Sequence, residues 1–363
     1  MLNDLKGDKL MKGVLKIIAV VLIVLVVSVF ILGTIWQQTD HGTLDFKAAV
    51  ILKIRNAFLK DEPLTPAKIR ADANSRAKTL QGQPKAVAKI QNIKISASGG
   101  KIPLRVYTPP GGGPFPILIF YHGGGWVIGD LDTADTACRF LANRARCLVI
   151  SVDYRLAPEH PFPAAVEDAY SALQWVAAHG RELKGDPVRM AVSGSSSGGN
   201  LCAAVALMSR DRDGPKILYQ VLIYPATDLS DMNTDSHRFF GKGYGLTRKH
   251  MIFFVESYLP DVKTRLHPYV SPLLAENLAG LPPAMVITAG FDILRDEGKA
   301  YADRLKRAGV ETIHTHYPTM IHGFVTMDRI FKEAGEALTE VSDVLKNVLY
   351  DRPSGPDSKA IDN

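Results

Sequence analysis

The sequence predicts an α/β protein built on a mostly parallel sheet of eight strands. Eight short runs rich in β-branched residues end in loops, and several are almost continuously apolar, as strands covered on both faces are. Helical patterns separate the later runs, and this alternation predicts a doubly wound sheet with helices on both faces. The predicted strands are Ile90–Ile95, Ile102–Thr108, Ile117–Tyr121, Cys147–Tyr154, Val188–Ser193, Tyr219–Tyr224, Ala284–Ala289 and Thr312–Tyr317. The predicted helices are Thr133–Arg146, Ala164–His179, Gly199–Arg212, Glu297–Ala308 and Asp328–Tyr350.

The composition is that of a globular protein. Of the 363 residues, 46% are hydrophobic and 22% are charged, which excludes wholesale disorder. The net charge of +6 is modest, and no nucleic-acid-binding motif accompanies it. The three cysteines, with no C-x-x-C pair among them, exclude a fully paired disulfide framework and a zinc ribbon.

An uncharged stretch of twenty residues, Ile17–Trp36, predicts a transmembrane anchor. At about 1.5 Å per residue it forms about 30 Å of helix, the thickness of a bilayer core. The alternative is a cleaved signal peptide, whose apolar region is usually shorter and is followed by small residues at a cleavage site. The basic residues near the membrane favour a cytoplasmic N-terminus and place the bulk of the chain outside the cytoplasm. They are Lys6, Lys9, Lys12 and Lys16 before the segment and Lys47, Lys53 and Arg55 after it.

The segment after the anchor is strongly basic. Residues 47–101 contain twelve basic and three acidic side chains, a net charge of +9. Five apolar residues fall near helical spacing at its start: Phe46, Val50, Ile51, Ile54 and Phe58. One interpretation is a basic helix lying on anionic headgroups. The favoured interpretation is a helix that packs this stripe on its own domain and leaves its lysines in solvent.

The domain organisation follows from these segments. The turn Ser98–Lys101 predicts a hairpin between the first two strands. Two stretches interrupt the strand–helix alternation, and both are expected to fold over the carboxyl edge of the sheet, where open α/β sheets bind ligands. The predicted divisions are a tail at 1–16, the anchor at 17–36, a linker with N-terminal cap helices at 37–88, a catalytic domain at 89–350 with a cap insertion at 228–272, and a flexible tail at 351–363.

A G-x-S-x-G pattern at Gly194–Gly198 directly follows a predicted strand and opens a predicted helix. This context is that of a nucleophile elbow, a strained turn that exposes the oxygen of the middle serine, here Ser196. The alternative is an ordinary loop rich in glycine and serine. A phosphate-binding loop is disfavoured because no lysine follows the glycines.

A nucleophilic serine requires donors for the oxyanion, and His122-Gly123-Gly124-Gly125-Trp126 follows the strand Ile117–Tyr121. Three successive glycines allow the backbone to turn its N–H groups toward a reacting carbonyl, which completes a hole with the N–H of Ser197. His122 is expected to orient this loop rather than to act as the base.

The base and the acid are expected in the order serine, acid, histidine along the chain. His322 lies in a loop after the last strand, whereas His314 and His316 alternate within that strand as ordinary sheet residues. An H-x-H zinc site at the latter two lacks a third ligand in the sequence. Asp292 lies in the loop after Ala284–Ala289 and is the predicted acid. Asp296 is the alternative, although it and Glu297 fall in the first turn of a helix, where acids suit the dipole.

These motifs resemble the hormone-sensitive-lipase branch of the α/β-hydrolases, the alpha/beta hydrolase fold-3 family. The resemblance spans about residues 88–350 and includes Asp153–Glu159, read as Asp-Tyr-Arg-Leu-Ala-Pro-Glu, a structural turn that holds the oxyanion loop. It implies an α/β-hydrolase fold with a helical cap. It assigns the nucleophile to Ser196, the base to His322, the orienting acid to Asp292, and the oxyanion donors to Gly124, Gly125 and Ser197.

One feature departs from the family pattern. The family commonly has aspartate before the nucleophile and alanine after it, whereas this chain has Ser195 and Ser197. Because Ser197 still supplies its backbone N–H, the oxyanion hole is retained. The substitution of the aspartate bears on fine specificity and not on the chemistry.

The sequence thus predicts a membrane-anchored serine carboxylic-ester hydrolase that acts on small to medium hydrophobic acyl groups through an acyl-enzyme. No metal or organic cofactor is implied. One alternative is an amidase or deacetylase resembling the arylacetamide deacetylases, since a triad alone does not separate esters from amides. A second is a non-catalytic binding protein, which the presence of all three triad members disfavours.

Overall fold

The computed structural model describes residues 2–58 and 62–350, and the predicted tail 351–363 lies outside them. The chain divides into two compact units, residues 1–60 and 61–363.

The first unit contains two helices and a short hairpin. Helix α1 (Leu2–Trp36) is followed by strands β1 (Gln38–Thr39) and β2 (Gly42–Thr43), which pair antiparallel, and by α2 (Phe46–Phe58). From Met11 to Trp36, α1 is long and apolar enough to cross a membrane, and its most apolar stretch of 18 residues contains no buried residue. The span includes the predicted anchor.

Helix α2 packs on the end of α1 through part of its predicted apolar stripe. The ring of Phe46 lies 5.8 Å from that of Phe30 and covers Gly33, where a β-carbon would collide with it. The stripe continues to Ile54 and Phe58, and these two side chains are exposed. The favoured expectation, that the whole stripe would be covered by protein, is therefore wrong for its second half.

The second unit is an eight-stranded sheet with the order β10-β9-β8-β7-β5-β6-β4-β3. The pairs β3–β4 and β4–β6 are antiparallel, and the remaining pairs are parallel. All eight predicted strands are present, and their bounds are β3 Lys89–Ala97, β4 Gly100–Thr108, β5 Phe115–Tyr121, β6 Leu148–Val152, β7 Gly185–Ser195, β8 Tyr219–Ile223, β9 Ala284–Phe291 and β10 Thr312–Ile321. The prediction of a mostly parallel sheet with an initial hairpin is confirmed.

Helices cover both faces of this sheet, because every residue of β5, β6, β8 and β9 is buried although successive side chains point to opposite faces. Helix α4 packs with α10, and α5 packs with α6. The helix bounds are α3 Pro66–Leu80, α4 Asp135–Ala145, α5 Ala164–His179, α6 Ser197–Asp211, α7 Asp235–Phe240, α8 Arg248–Tyr258, α9 Arg295–Arg307 and α10 Lys332–Tyr350. Helices α7 and α8 lie within the predicted cap insertion.

Seven of the ten predicted helix bounds differ from the observed ones by one to four residues, and two of these differences have identifiable reasons. Helix α6 begins at Ser197, two residues earlier than predicted, because its glycines adopt helical geometry directly after the turn. Helix α4 ends at Ala145 because Arg146 adopts a left-handed conformation, with φ 53°.

Candidate active site

The sharp turn between β7 and α6 presents Ser196. Its φ of 57° and ψ of −120° lie outside the regions that residues with a side chain favour. The flanking glycines make the turn possible: a β-carbon on Gly194 would collide with the carbonyl of Gly198, and one on Gly198 would collide with the carbonyl of Tyr121. The side chain of Ser196 is therefore held at the amino end of α6, where helix N–H groups favour negative charge.

A continuous chain of hydrogen bonds joins this serine to a histidine and a carboxylate. His322 follows β10, and its Nε2 lies 2.9 Å from Ser196 Oγ. Its Nδ1 lies 2.7 Å from Oδ2 of Asp292, which follows β9 and is 1% exposed. In the tautomer whose Nδ1–H donates a hydrogen bond to this carboxylate, Nε2 is the nitrogen that can accept a hydrogen bond from the serine hydroxyl.

Asp292 is itself fixed in place. Its Oδ1 accepts a hydrogen bond of 2.9 Å from the backbone N–H of Leu294. Both carboxylate oxygens therefore have a donor. The ring of His322 is restrained in turn by the ring of Tyr224, whose centroid lies 4.9 Å away.

The two other acids of this segment point to different loops. Asp296 accepts a hydrogen bond of 2.7 Å from the N–H of Ser236 at the start of α7. Glu297 is buried, and its Oε1 accepts the N–H of Thr227 at 2.7 Å. Burial raises the pKa of Glu297 well above its usual value. Both do lie in the first turn of α9, as predicted, but their hydrogen bonds hold the start of the cap insertion, at Thr227 and Ser236.

The glycine loop after β5, Gly123–Gly125, lies close to Ser196. A β-carbon on Gly123 would lie 3.3 Å from Cβ of Ser196 and 2.8 Å from the carbonyl oxygen of Ser195. Gly124 and Gly125 have φ of 130° and 58°, which are conformations that favour glycine. Among the described residues, no acceptor takes up the N–H groups of these three glycines. Gly123 was predicted only as part of the loop, and its approach to Ser196 makes it a further candidate donor.

His122 supports this loop and does not face the serine. Its ring stacks on that of Tyr154 at 4.2 Å, and its Nδ1 lies 2.9 Å from the carbonyl oxygen of Gly123. Tyr154 donates a hydrogen bond of 2.8 Å to the carbonyl of His122. Burial lowers the pKa of His122 to about 4, so the ring is neutral at pH 7. These contacts agree with the predicted structural roles of His122 and the Asp153–Glu159 turn.

His314 and His316 contact one common hydroxyl. Oγ1 of Thr288 lies 2.9 Å from Nε2 of His314 and 2.9 Å from Nδ1 of His316. In the described parts of the chain, no third side chain joins them in a cluster suited to a metal ion. The contacts fit the interpretation of both as ordinary sheet residues.

Asp153, at the start of the supporting turn, makes the stability of the fold depend on pH. Burial and the neighbouring carboxylates of Asp130 and Asp132 raise its pKa to about 6. In the unfolded chain this carboxyl loses its proton near pH 3.8, so the folded state holds the proton longer. The resulting contribution to stability is present at low pH and is lost as the pH rises through about 6.

We expect Asp153→Asn to raise the free energy of unfolding at pH 8 by about 1 kcal/mol, after allowance for partial exposure to solvent. At pH 4 the same substitution should change the free energy little, because the aspartate is then protonated in the folded protein. Urea unfolding at the two pH values measures both. An equal change in the free energy of unfolding at pH 4 and pH 8 would show that the substitution acts through lost contacts and not through charge.

Comparisons with known proteins identify the family to which this fold belongs. Residues 118–326 match the family described as alpha/beta hydrolase fold. The chain is 40% identical over 316 residues to the carboxylic ester hydrolase LipN of Mycobacterium tuberculosis, covering 85% of this chain and 84% of that protein. It is 38% identical over 258 residues to an arylesterase of Saccharolobus solfataricus, covering 71% and 83%.

Solved structures give the same result. The hyperthermophilic esterase of the archaeon Pyrobaculum calidifontis is 42% identical, with a TM-score of 0.78 over 82% of this chain and 96% of that one. The ester hydrolase EH1AB1 from the metagenome of Lake Arreo is 40% identical, with a TM-score of 0.80 over 84% and 98%. The chain therefore belongs to the alpha/beta hydrolase fold family, in its fold-3 carboxylesterase branch, and is a serine hydrolase of carboxylic esters.

Proposed function

We propose that Ser196, His322 and Asp292 are the catalytic triad of this esterase and that the acid part of the ester is small to medium in size and hydrophobic. The observation that carries the proposal is the hydrogen-bond chain from Ser196 Oγ through His322 to Asp292, with distances of 2.9 and 2.7 Å. The alternative acid, Asp296, is engaged by Ser236 and Arg295 and is not part of this chain.

In the proposed mechanism, Ser196 Oγ attacks the ester carbonyl while its proton passes to Nε2 of His322. The carbonyl π-electrons move to the oxygen, which becomes an oxyanion. When the tetrahedral intermediate collapses, the bond to the alcohol oxygen breaks, and the proton on Nε2 passes to that oxygen. Water then attacks the acyl-enzyme, with its proton taken by Nε2, and a second collapse releases the acid and restores the serine hydroxyl. Asp292 stabilises the imidazolium that forms in each half of the reaction.

The oxyanion is proposed to be stabilised by backbone N–H groups of the glycine loop and of Ser197. Gly124 and Gly125 are the donors that the sequence indicates, and Gly123 joins them because a β-carbon built on it would lie 3.3 Å from Cβ of Ser196. Each such donor is worth about 10² to 10³ in kcat. Ser197 contributes through its position as the first residue of α6, where the N–H has no partner within the helix.

The size of the acyl group is proposed to be limited by aromatic residues beside the glycine loop. The ring of Phe254, from α8, occupies the space where a β-carbon on Gly125 would lie. Next to it, Trp126 stacks on Tyr258 with ring centroids 4.7 Å apart. We propose that these rings narrow the approach to Ser196 and make it apolar, which favours short acyl chains over long ones.

The test is turnover of p-nitrophenyl esters and matched anilides with acyl chains of two to sixteen carbons, on the purified full-length protein in detergent. We expect hydrolysis of the esters with short to medium chains, with activity falling steeply for long ones. Phe254→Ala should move the optimum to longer chains, and the exposed Phe239→Ala serves as the matched control. Preference for anilides would contradict the ester proposal in favour of an amidase, and an optimum at sixteen carbons would contradict the size limit.

The proposal includes a membrane anchor at 17–36 with the N-terminus in the cytoplasm and the catalytic unit outside. It is supported by the apolar, uncovered span of α1 and by the lysines that precede it. A membrane-impermeant maleimide applied to intact cells should label Asp40→Cys and spare Lys12→Cys. The three native cysteines are buried, so the introduced thiol is the one that reacts. Labelling only at Lys12→Cys would reverse the topology, and a shortened N-terminus in the mature protein would show a signal peptide instead.

A further inference from the structure

Helix α2 has two faces of different character. Ala48, Ala49 and Leu52 are buried on one face. On the opposite face, Ile54 is 54% exposed and Phe58 is 81% exposed. The two lie four residues apart, so they form one apolar strip on the helix surface. An exposed apolar strip of this kind on a surface helix is typical of a site that binds another protein or a membrane.

The position of α2 relative to α1 indicates what that partner is. The first turns of α2 pack on the last turns of α1, where Phe46 meets Phe30 and where Val50 lies 3.1 Å from a β-carbon built on Gly33. Helix α1 ends at Trp36, three residues beyond this contact. If α1 crosses the bilayer, the start of α2 is therefore held within about 5 Å of the boundary between acyl chains and headgroups.

The charge of α2 suits anionic lipid. Its sequence contains Lys47, Lys53 and Arg55 and no acidic residue. An apolar strip flanked by basic side chains is the pattern by which a helix lies in the plane of a membrane surface, with its basic groups among lipid phosphates.

We propose that α2 lies in the headgroup layer of an anionic bilayer, with Ile54 and Phe58 inserted among the acyl chains and the basic residues against lipid phosphates. The inference rests on the membrane anchor proposed for α1. It goes beyond that anchor because it gives the esterase a second contact with lipid, one that depends on the composition of the bilayer.

The test uses the full-length protein in vesicles of phosphatidylcholine with and without phosphatidylglycerol. An environment-sensitive NBD fluorophore is attached at Ile54→Cys, and Val188→Cys in β7 serves as the control because it is an equally exposed apolar position in the second unit, 62% exposed. In anionic vesicles, we expect the label at 54 to shift to the blue and to be quenched by brominated acyl chains. The label at 188 should remain accessible to aqueous iodide.

The basic residues provide a second arm. Replacement of Lys47, Lys53 and Arg55 by glutamine should reduce the ratio of inserted to withdrawn helix by about fivefold for each charge removed. If the label at 54 stays in water while the protein floats with the vesicles, the inference is wrong and the anchor stands. If the label is shielded from both lipid and iodide, protein covers the strip and the inference is also wrong. If the protein does not float at all, both the anchor and the inference fail.

Discussion

Ser196→Ala is expected to abolish ester hydrolysis, with a loss in kcat on the order of 10⁶. In the proposed mechanism the hydroxyl oxygen of Ser196 bonds to the substrate, and neither His322 nor the glycine loop can replace it. The fold should be retained, because alanine tolerates the φ of 57° no worse than serine does. Turnover of p-nitrophenyl butyrate measures the loss, and thermal unfolding of the same preparation checks the fold.

The matched control is the neighbouring hydroxyl. Ser197→Ala keeps the backbone N–H that the oxyanion hole uses and removes only a buried side-chain oxygen. It should therefore retain most of the activity. Full activity in Ser196→Ala, or loss confined to Ser197→Ala, would show that the nucleophile has been assigned to the wrong serine.

Asp292→Asn should lower kcat by about 10⁴, by analogy with serine proteases. The amide is nearly the same size, but its NH₂ group would donate to Nδ1 of His322 and force the proton onto Nε2. The imidazole could then no longer accept the hydroxyl proton of Ser196. Steady-state kinetics should show the loss in kcat with little change in KM, since Asp292 is 1% exposed and does not face substrate.

Asp296→Asn separates the two candidate acids. Asp296 holds the N–H of Ser236 and the side chain of Arg295, so its replacement should weaken the attachment of α7 and leave the chemical step nearly intact. A greater loss of kcat in Asp296→Asn than in Asp292→Asn would contradict the proposed triad.

The sheet could be predicted because its strands have local signals. Runs such as Ile117–Tyr121 and Ala284–Ala289 are nearly all apolar, and they are buried on both faces in the structure. Helix α3 was predicted only as part of the N-terminal cap helices, without bounds, because it lacks an apolar stripe and Ile69 is its one buried residue. The signals that could have located it were Thr65, which caps it through the N–H of Lys68, and Pro66 in its first turn.

The candidate site could be predicted because its three main residues lie directly after strands. Ser196, Asp292 and His322 each follow a strand, and a parallel sheet brings such ends to one edge. The tertiary contacts were not predictable, because the sequence separates their partners. Asp296 contacts Ser236 sixty residues away, and Gly123 approaches Ser196 from another strand. Only the folded chain brings these residues together.

The backbone conformation of Ser196 also places a limit on how this protein can evolve. A residue held at φ 57° and ψ −120° costs on the order of 1 to 3 kcal/mol, and glycine at the same position would avoid most of it. If Ser196 is the nucleophile, a lineage that keeps the enzyme active must forgo this stabilising substitution, which lies one nucleotide change away from two of the six serine codons. Stability lost here has to be recovered at positions remote from the turn. A homologue that carries glycine at this position would mark a branch in which selection for hydrolysis has lapsed and selection for a durable fold remains.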